Sequence, residues 1–145
     1  MKNHQAIVRR IEDKDADAFC FLFDQPMSAE RSLQMIHILQ GQKMAKTFLT
    51  IADAEDEAVG ILELHERSEE QTEIGYRIMP AFRHQGYAVQ AVKAIVQVLF
   101  ASGKKNIVAY IDAENKCSEK VLLRAGFVQT EECRAVKTYQ MEAKK

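Results

Sequence analysis

The chain has 145 residues, 47% of them hydrophobic and 28% charged, with a formal net charge of -1. That length fits one domain of roughly 100–200 residues, able to bury about two thirds of the surface its unfolded chain exposes without staples. So small a net charge gives no electrostatic grip on nucleic acid or an anionic membrane, and neither is an expected partner.

The first residues, Met1-Lys2-Asn3-His4-Gln5, lack the apolar core of a signal peptide. Residues 6–11 predict a first strand. Asp13 or Asp15 can cap a short helix carrying Ala16, Phe19, Cys20 and Phe23 and ending before Pro26. Ser28 is a good N-cap for a second helix that reaches Gln40, with Gly41 as its stop. Its apolar positions cover more than half the circumference and predict packing on more than one side. Residues 46–52 and 58–65 read as an antiparallel hairpin joined by the acidic turn Asp53-Ala54-Glu55-Asp56-Glu57. That turn is either a solvated hairpin tip or an attraction for a cationic acceptor.

A polar connection leads into a strand over 72–79, closed by Pro80. A loop over 81–86 and a helix over 87–101 follow. The apolar stretch 88–101 contains Gln90, Lys93 and Gln97 and falls short of the roughly 20 residues of a membrane span. Residues 106–112 predict a strand, 115–125 a helix stopped by Gly126, and 127–134 with 135–142 a closing strand pair. One α/β domain over 1–145, a mixed sheet covered by helices, is the expected architecture. Three cysteines, Cys20, Cys117 and Cys133, are odd in number and have no metal spacing. They read as reduced thiols of a cytoplasmic protein, and no metal is expected.

The strongest local signal is Arg83-His84-Gln85-Gly86-Tyr87-Ala88, between a strand and a helix. A helix start presents unpaired N–H groups and roughly half a positive charge. Gly86 lets the backbone approach a ligand closely and Arg83 adds a cation, a combination suited to a phosphate or pyrophosphate. The plainer reading is a tight turn that needs one glycine. Neither a Walker loop nor a dinucleotide fingerprint is present, because Gly86 is the loop's single glycine.

Arg83 to Ala88 matches R/Q-x-x-G-x-G/A, the acyl-CoA loop of the GNAT N-acetyltransferase superfamily, and the preceding Glu73-Ile74-Gly75-Tyr76-Arg77-Ile78-Met79-Pro80 resembles that family's fourth strand. Asn115-x-x-Ser118, running into Arg124-Ala125-Gly126-Phe127, resembles its second signature in the form most similar to ribosomal-protein N-terminal acetyltransferases. The resemblance implies a mostly antiparallel sheet with splayed fourth and fifth strands, flanked by about four helices. It implies acetyl-CoA as cosubstrate and an amine acceptor. Its pantetheine arm would pair with the backbone of Ile78 and Met79, and its pyrophosphate would sit on backbone N–H groups of His84, Gln85, Gly86, Tyr87 and Ala88. Asn115 either contacts the cofactor or only caps its helix. Ser118 lies on an apolar stripe with Val121, Leu122 and Ala125. Its hydroxyl bonds back to its own helix or meets the cofactor sulfur. Many members have a tyrosine at the Leu122 position to protonate the departing thiolate, and this chain has leucine there; the branch it resembles has serine at the Ser118 position, which implies that role for Ser118. Cys117 reads as an ordinary thiol.

An attacking amine must be neutral. Deprotonating a lysine-like amine at pH 7 costs about 4.6 kcal/mol, against about 1 kcal/mol for an α-amino group, so a lysine or polyamine acceptor needs a base more than a peptide terminus does. Glu73 matches the family's catalytic glutamate and shares a strand face with Gly75 and Arg77; the alternative is a solvated strand carboxylate. His65 is a second candidate, and His37 lines the acceptor cleft or packs on its helix. The closing strand pair is short, so the acceptor side reads as open, suited to a peptide or protein amine or to completion by a second copy in a homodimer. Two other readings compete: an acyl-CoA-binding regulatory module without turnover, and a structural subunit marked by the apolar second helix with Met27, Met35 and Met44.

Overall fold

The computed structural model describes residues 5–41 and 46–144, so the expectations for residues 1–4 and Met44 fall outside the described residues. Strands β1 (Ile7–Arg10), β2 (Lys46–Ala52), β3 (Ala58–Glu66), β4 (Gln71–Ile78), β5 (Asn106–Asp112), β6 (Val128–Cys133) and β7 (Val136–Glu142) form one sheet in the order β1-β2-β3-β4-β5-β7-β6. Helices α1 (Ala16–Phe19), α2 (Ala29–Gln40), α3 (Tyr87–Ala101) and α4 (Lys116–Ala125) lie against it. Strands β1 to β4 make an antiparallel run: the connection from β1 to β2 carries α1 and α2, and short turns join β2 to β3 and β3 to β4. The connection from β4 to β5 carries a helix, and it yields the sheet's parallel pair.

That parallel pairing is short. Gln71, Thr72 and Glu73 pair with Asn106, Ile107 and Val108, and there it stops. Beyond this seam β4 keeps its register with β3 as far as Gly60↔Ile78, while β5 keeps its register with β7 as far as Asp112↔Val136. Each strand follows its other neighbour, and a gap opens between them. Gly60 is needed on the β3 side, because a Cβ there would sit 2.4 Å from the Arg77 carbonyl oxygen.

The main core lies on one face. Tyr87, Ala91, Val92, Ile95, Val96 and Leu99 recur at helical spacing along α3 and pack on Ile51, Val59, Leu62, Ile74, Ile78 and Ile107. On the other face α1 and α2 cover one corner only, through Ile11, Phe19, Leu22 and Ile36 against Ala58, Met79 and Ile61. The rest of that face carries Glu63, His65, Glu73 and Gly75, which are half-buried and lie outside the cluster that α1 and α2 pack on.

Several expectations are corrected. The first helix is a 3-10 turn at Asp13–Asp15 followed by four α residues, and Phe23 lies beyond it on the surface. Asp15 is not the N-cap of α1 by its side chain but closes the 3-10 turn by accepting from the Glu12 N–H. Its buried carboxylate, 2% exposed, accepts from both terminal nitrogens of Arg9 at 2.8 and 3.0 Å, from Thr50 Oγ1 at 2.7 Å and from the Glu12 N–H at 3.0 Å. Helix α2 starts at the expected Ser28 cap, whose hydroxyl accepts from the Arg31 N–H. It packs on one side, burying Ser32 and Ile36 while Ile38 stays exposed. The acidic turn spends its charge internally. Asp53 accepts from the Glu55 and Glu57 N–H groups, and Asp56 pairs with Arg9 and Lys14.

Candidate active site

Two grooves open along the gap. The inner one, about 320 Å³, lies between Ile74, Gly75 and Tyr76 of β4 and residues 109–112 of β5, with Asn115 and Ser118 of α4 at its side. The outer one, about 600 Å³, runs past Ile78, Arg83, His84, Gly86, Tyr87 and Ala88, with α4 as its opposite wall. They share Tyr76, Asn115 and Ser118, so the two make one cleft.

Backbone polar groups give the inner wall its character. The Met79 N–H donates to the Val59 carbonyl on β3 at 2.9 Å. Polar groups alternate sides along a strand, so the N–H groups of Ile78 and Tyr76 turn the other way, toward the gap that β5 has left. This corrects the expectation for Met79: its N–H is committed to β3 and its side chain is buried in the smaller core. Ile78 lines the outer groove, and its carbonyl accepts from Arg83 Nε at 3.0 Å.

At the outer end α3 begins with Gly86 at φ 88°, in the left-handed region, and no side chain caps it. Since a Cβ at Gly86 would meet nothing closer than Gln90 Nε2 at 3.9 Å, backbone conformation is what demands glycine in the protein alone. His84 is also left-handed, at φ 64°. The helix start therefore faces the groove with its partial positive charge uncovered. The Gln85 side chain turns away from the groove. Its Nε2 donates back to the Ala81 carbonyl, and it lies outside the groove lining. Arg83 and Arg77 both reach Asp24 Oδ1 at 3.4 Å. Asp24 belongs to the segment between α1 and α2, and Arg77 pins that segment further through Leu22 and Phe23.

Across the cleft, Asn115 Oδ1 accepts from the Ser118 N–H at 3.1 Å, so it does cap α4, and it is exposed along both grooves. Ser118 is half-buried where the grooves meet. Leu122 is fully buried in the main core. Sequence reasoning missed Tyr76, whose hydroxyl donates to the Ser118 carbonyl at 3.2 Å. Burial pushes this phenol up to about 12, only partly offset by its contact with Ser118, so it is a neutral donor at working pH. Its place on an otherwise apolar strand face was the available signal. The outer groove also takes in Lys120, Arg124 and the exposed Cys117.

Glu73 lies at the seam where β4 and β5 still pair, and neither groove is lined by it. Arg67 grips its carboxylate through two nitrogens, Nε at 2.8 Å. His65 Nδ1 is 3.8 Å away. His37 stands on exposed α2 beside Asp13 at 3.3 Å, outside both linings. Among the described residues no helix is long and apolar enough to cross a membrane.

This geometry has counterparts. The model of the acetyltransferase (GNAT) domain matches residues 5–128. The uncharacterized N-acetyltransferase YoaA of Bacillus subtilis is 26% identical over 88% of this chain and 81% of its own length. A GNAT-family acetyltransferase from Bacillus anthracis superposes with a TM-score of 0.78 at 19% identity, over 98% of this chain and 97% of that one. A spermidine N-acetyltransferase from Vibrio cholerae gives 0.75 at 18%, over 95% and 94%. At such identities the structural likenesses speak for the fold, whereas the family model covers the splayed strands, the Arg83–Ala88 loop and the capped α4 in one match. The chain belongs to the GNAT acetyltransferase family, enzymes that transfer acetyl groups to amines.

Proposed function

We propose that this protein uses acetyl-CoA to acetylate a primary amine by direct attack on the thioester. The observation that carries this reading is the parting of β4 and β5 beyond Glu73 and Val108, in line with the uncapped start of α3. An amide-bearing chain laid along the freed edge of β4 pairs with Tyr76 and Ile78 as an added strand would. At the outer end, the N–H groups from His84 to Ala88 and the cations of Arg83 and Arg77 suit a pyrophosphate. Asn115 and Ser118 then flank the sulfur, and bound acetyl-CoA supplies an activated acetyl group there.

The residues of the chain orient and screen. Ser118 gives the departing sulfur a hydroxyl, in place of the tyrosine absent at Leu122, and Tyr76 holds the Ser118 backbone in place. An N–H of β4 aimed at the thioester oxygen acts as a preorganised donor. The amine enters from the face opposite the main core, outside the cluster that α1 and α2 pack on. The half-buried carboxylates of Glu63 and Glu73 favour a cation on that face.

Calorimetric titration with acetyl-CoA and CoA tests the binding half. Thiol release in the presence of peptide, polyamine and aminoglycoside amines tests transfer and identifies the acceptor class. Binding in the micromolar range with acceptor-dependent release is the expected result. Binding without release from any acceptor selects a regulatory module, and no binding sinks the proposal.

A further inference from the structure

The proton-accepting carboxylate expected from the sequence was Glu73, but its surroundings suit a different task. Arg67 holds its Oε1 through two nitrogens, and it sits at the paired end of the seam. A general base has to come within hydrogen-bond reach of the proton it removes.

Of the carboxylates near the open part of the gap, Asp112 lines the inner groove from β5, and Glu63 lies on β3 behind Gly75. Glu63 on β3 lies directly across from Gly75 on β4, and Gly75 lines the inner groove. Glu63 Oε2 is 3.8 Å from where a Cβ of Gly75 would be. Since residue 75 has no side chain, nothing of β4 but its backbone separates this carboxylate from the groove. Glu63 projects on the face opposite the main core, where its row mates are Ile61 and His65. Among the described residues no hydrogen bond ties it down. Its one ion pair among the described residues is a loose contact with the exposed Lys46, at 3.7 Å. That partner is itself a primary alkylammonium, the chemical class that the proposed reaction consumes.

We infer that Glu63 is the catalytic base of the transfer, taking a proton from the acceptor ammonium as it displaces Lys46 beside Gly75; this rests on the acetyl-CoA reading above. The step balances without a further reagent. Glu63 removes one proton from R–NH3+, and the freed lone pair forms the C–N bond to the acetyl carbonyl carbon. The C–S bond breaks with its electron pair going to sulfur. The second nitrogen proton ends on the thiolate to give the free thiol, and Glu63 returns its own proton to solvent.

The test compares wild-type protein with Glu63→Gln, Glu63→Asp, Glu63→Ala and Glu73→Gln, measuring acetyl-CoA affinity by calorimetry and turnover across pH with a lysine-like amine. E63Q is expected to bind acetyl-CoA as wild type does and to lose about 100-fold in kcat. Its rate should climb with pH through the range where the wild-type rate is level, because only the already neutral amine then reacts. E63D is expected to recover part of the rate, and formate to rescue E63A; a structural role for Glu63 would produce neither. Wild-type kcat and pH profile in E63Q would overturn the assignment, as would a loss that comes wholly from weaker acetyl-CoA binding, or a larger loss in E73Q than in E63Q. Failure of wild-type protein to bind acetyl-CoA would overturn the underlying reading instead, and this one with it.

Discussion

Gly86 and Asp24 set the outer groove from opposite sides. At φ 88° an L side chain at residue 86 is strained by roughly 1–2 kcal/mol even in empty space. Gly86→Ala is therefore expected to lose modest stability but at least tenfold in acetyl-CoA affinity, since the new methyl stands where a phosphate must approach N–H groups. Thermal melting and calorimetry on one preparation separate the two effects. Asp24 shares one carboxylate oxygen between Arg77 and Arg83. An incoming pyrophosphate competes with it for both guanidinium groups. Asp24→Asn should tighten CoA binding several-fold at low salt, with the gain fading as salt screens the charges; calorimetry at two ionic strengths checks it.

At the scale of elements, close backbone approach decides where β4 goes. A methyl at residue 60 would run into the Arg77 carbonyl and the Ile78 side chain, at 2.4 and 2.9 Å. Gly60→Ala must push β4 away from β3, at an expected cost of about 1–3 kcal/mol. A denaturant midpoint measures that loss. Because β4 forms the wall of the gap, acetyl-CoA affinity should fall with it. This kind of constraint is not written locally. The bounds of β2, α3 and β5 follow from periodicity and turn residues, and sequence reasoning placed them as the structure does. The Arg83–Ala88 loop and the Asn115 cap were legible for the same reason, as each is a local pattern of special residues. The commitment of Met79 to β3, the Arg67 fork on Glu73 and the placing of Glu63 over Gly75 all depend on which strand lies beside which. Helix α1 fell short because Asp15, which reads as a cap, is drawn into a pairing with Arg9 from another element.

For the whole molecule, the Arg9–Asp15–Thr50–Asp56 cluster ties the first strand, the first turn and the β2–β3 hairpin together. Burial pushes the Asp15 carboxyl up. The Arg9 guanidinium, the Glu12 N–H and the Thr50 hydroxyl outweigh this and hold it below the usual carboxylate range. A carboxyl lowered by folding stabilises the fold fully above its unfolded value of about 3.9 and stops doing so as pH falls through the folded value. Asp15→Asn leaves Arg9 without its buried partner and is expected to cost about 3 kcal/mol at pH 7. Unfolding midpoints at pH 7 and at pH 3 should show the difference between the variant and wild type shrinking in acid.

The three-residue seam between β4 and β5 makes the sheet a pair of leaves on a short spine, four strands on one leaf and three on the other. On the acetyl-CoA reading, what would complete the sheet is not protein but cargo, a removable eighth strand. Loaded and empty forms should differ in how the fold holds together as well as in activity. With the cargo in place, amide exchange at Tyr76 and Ile78 should slow toward that of Thr72 and Ile107. Removal of the cargo should return exchange at those two amides to the rate of the empty form.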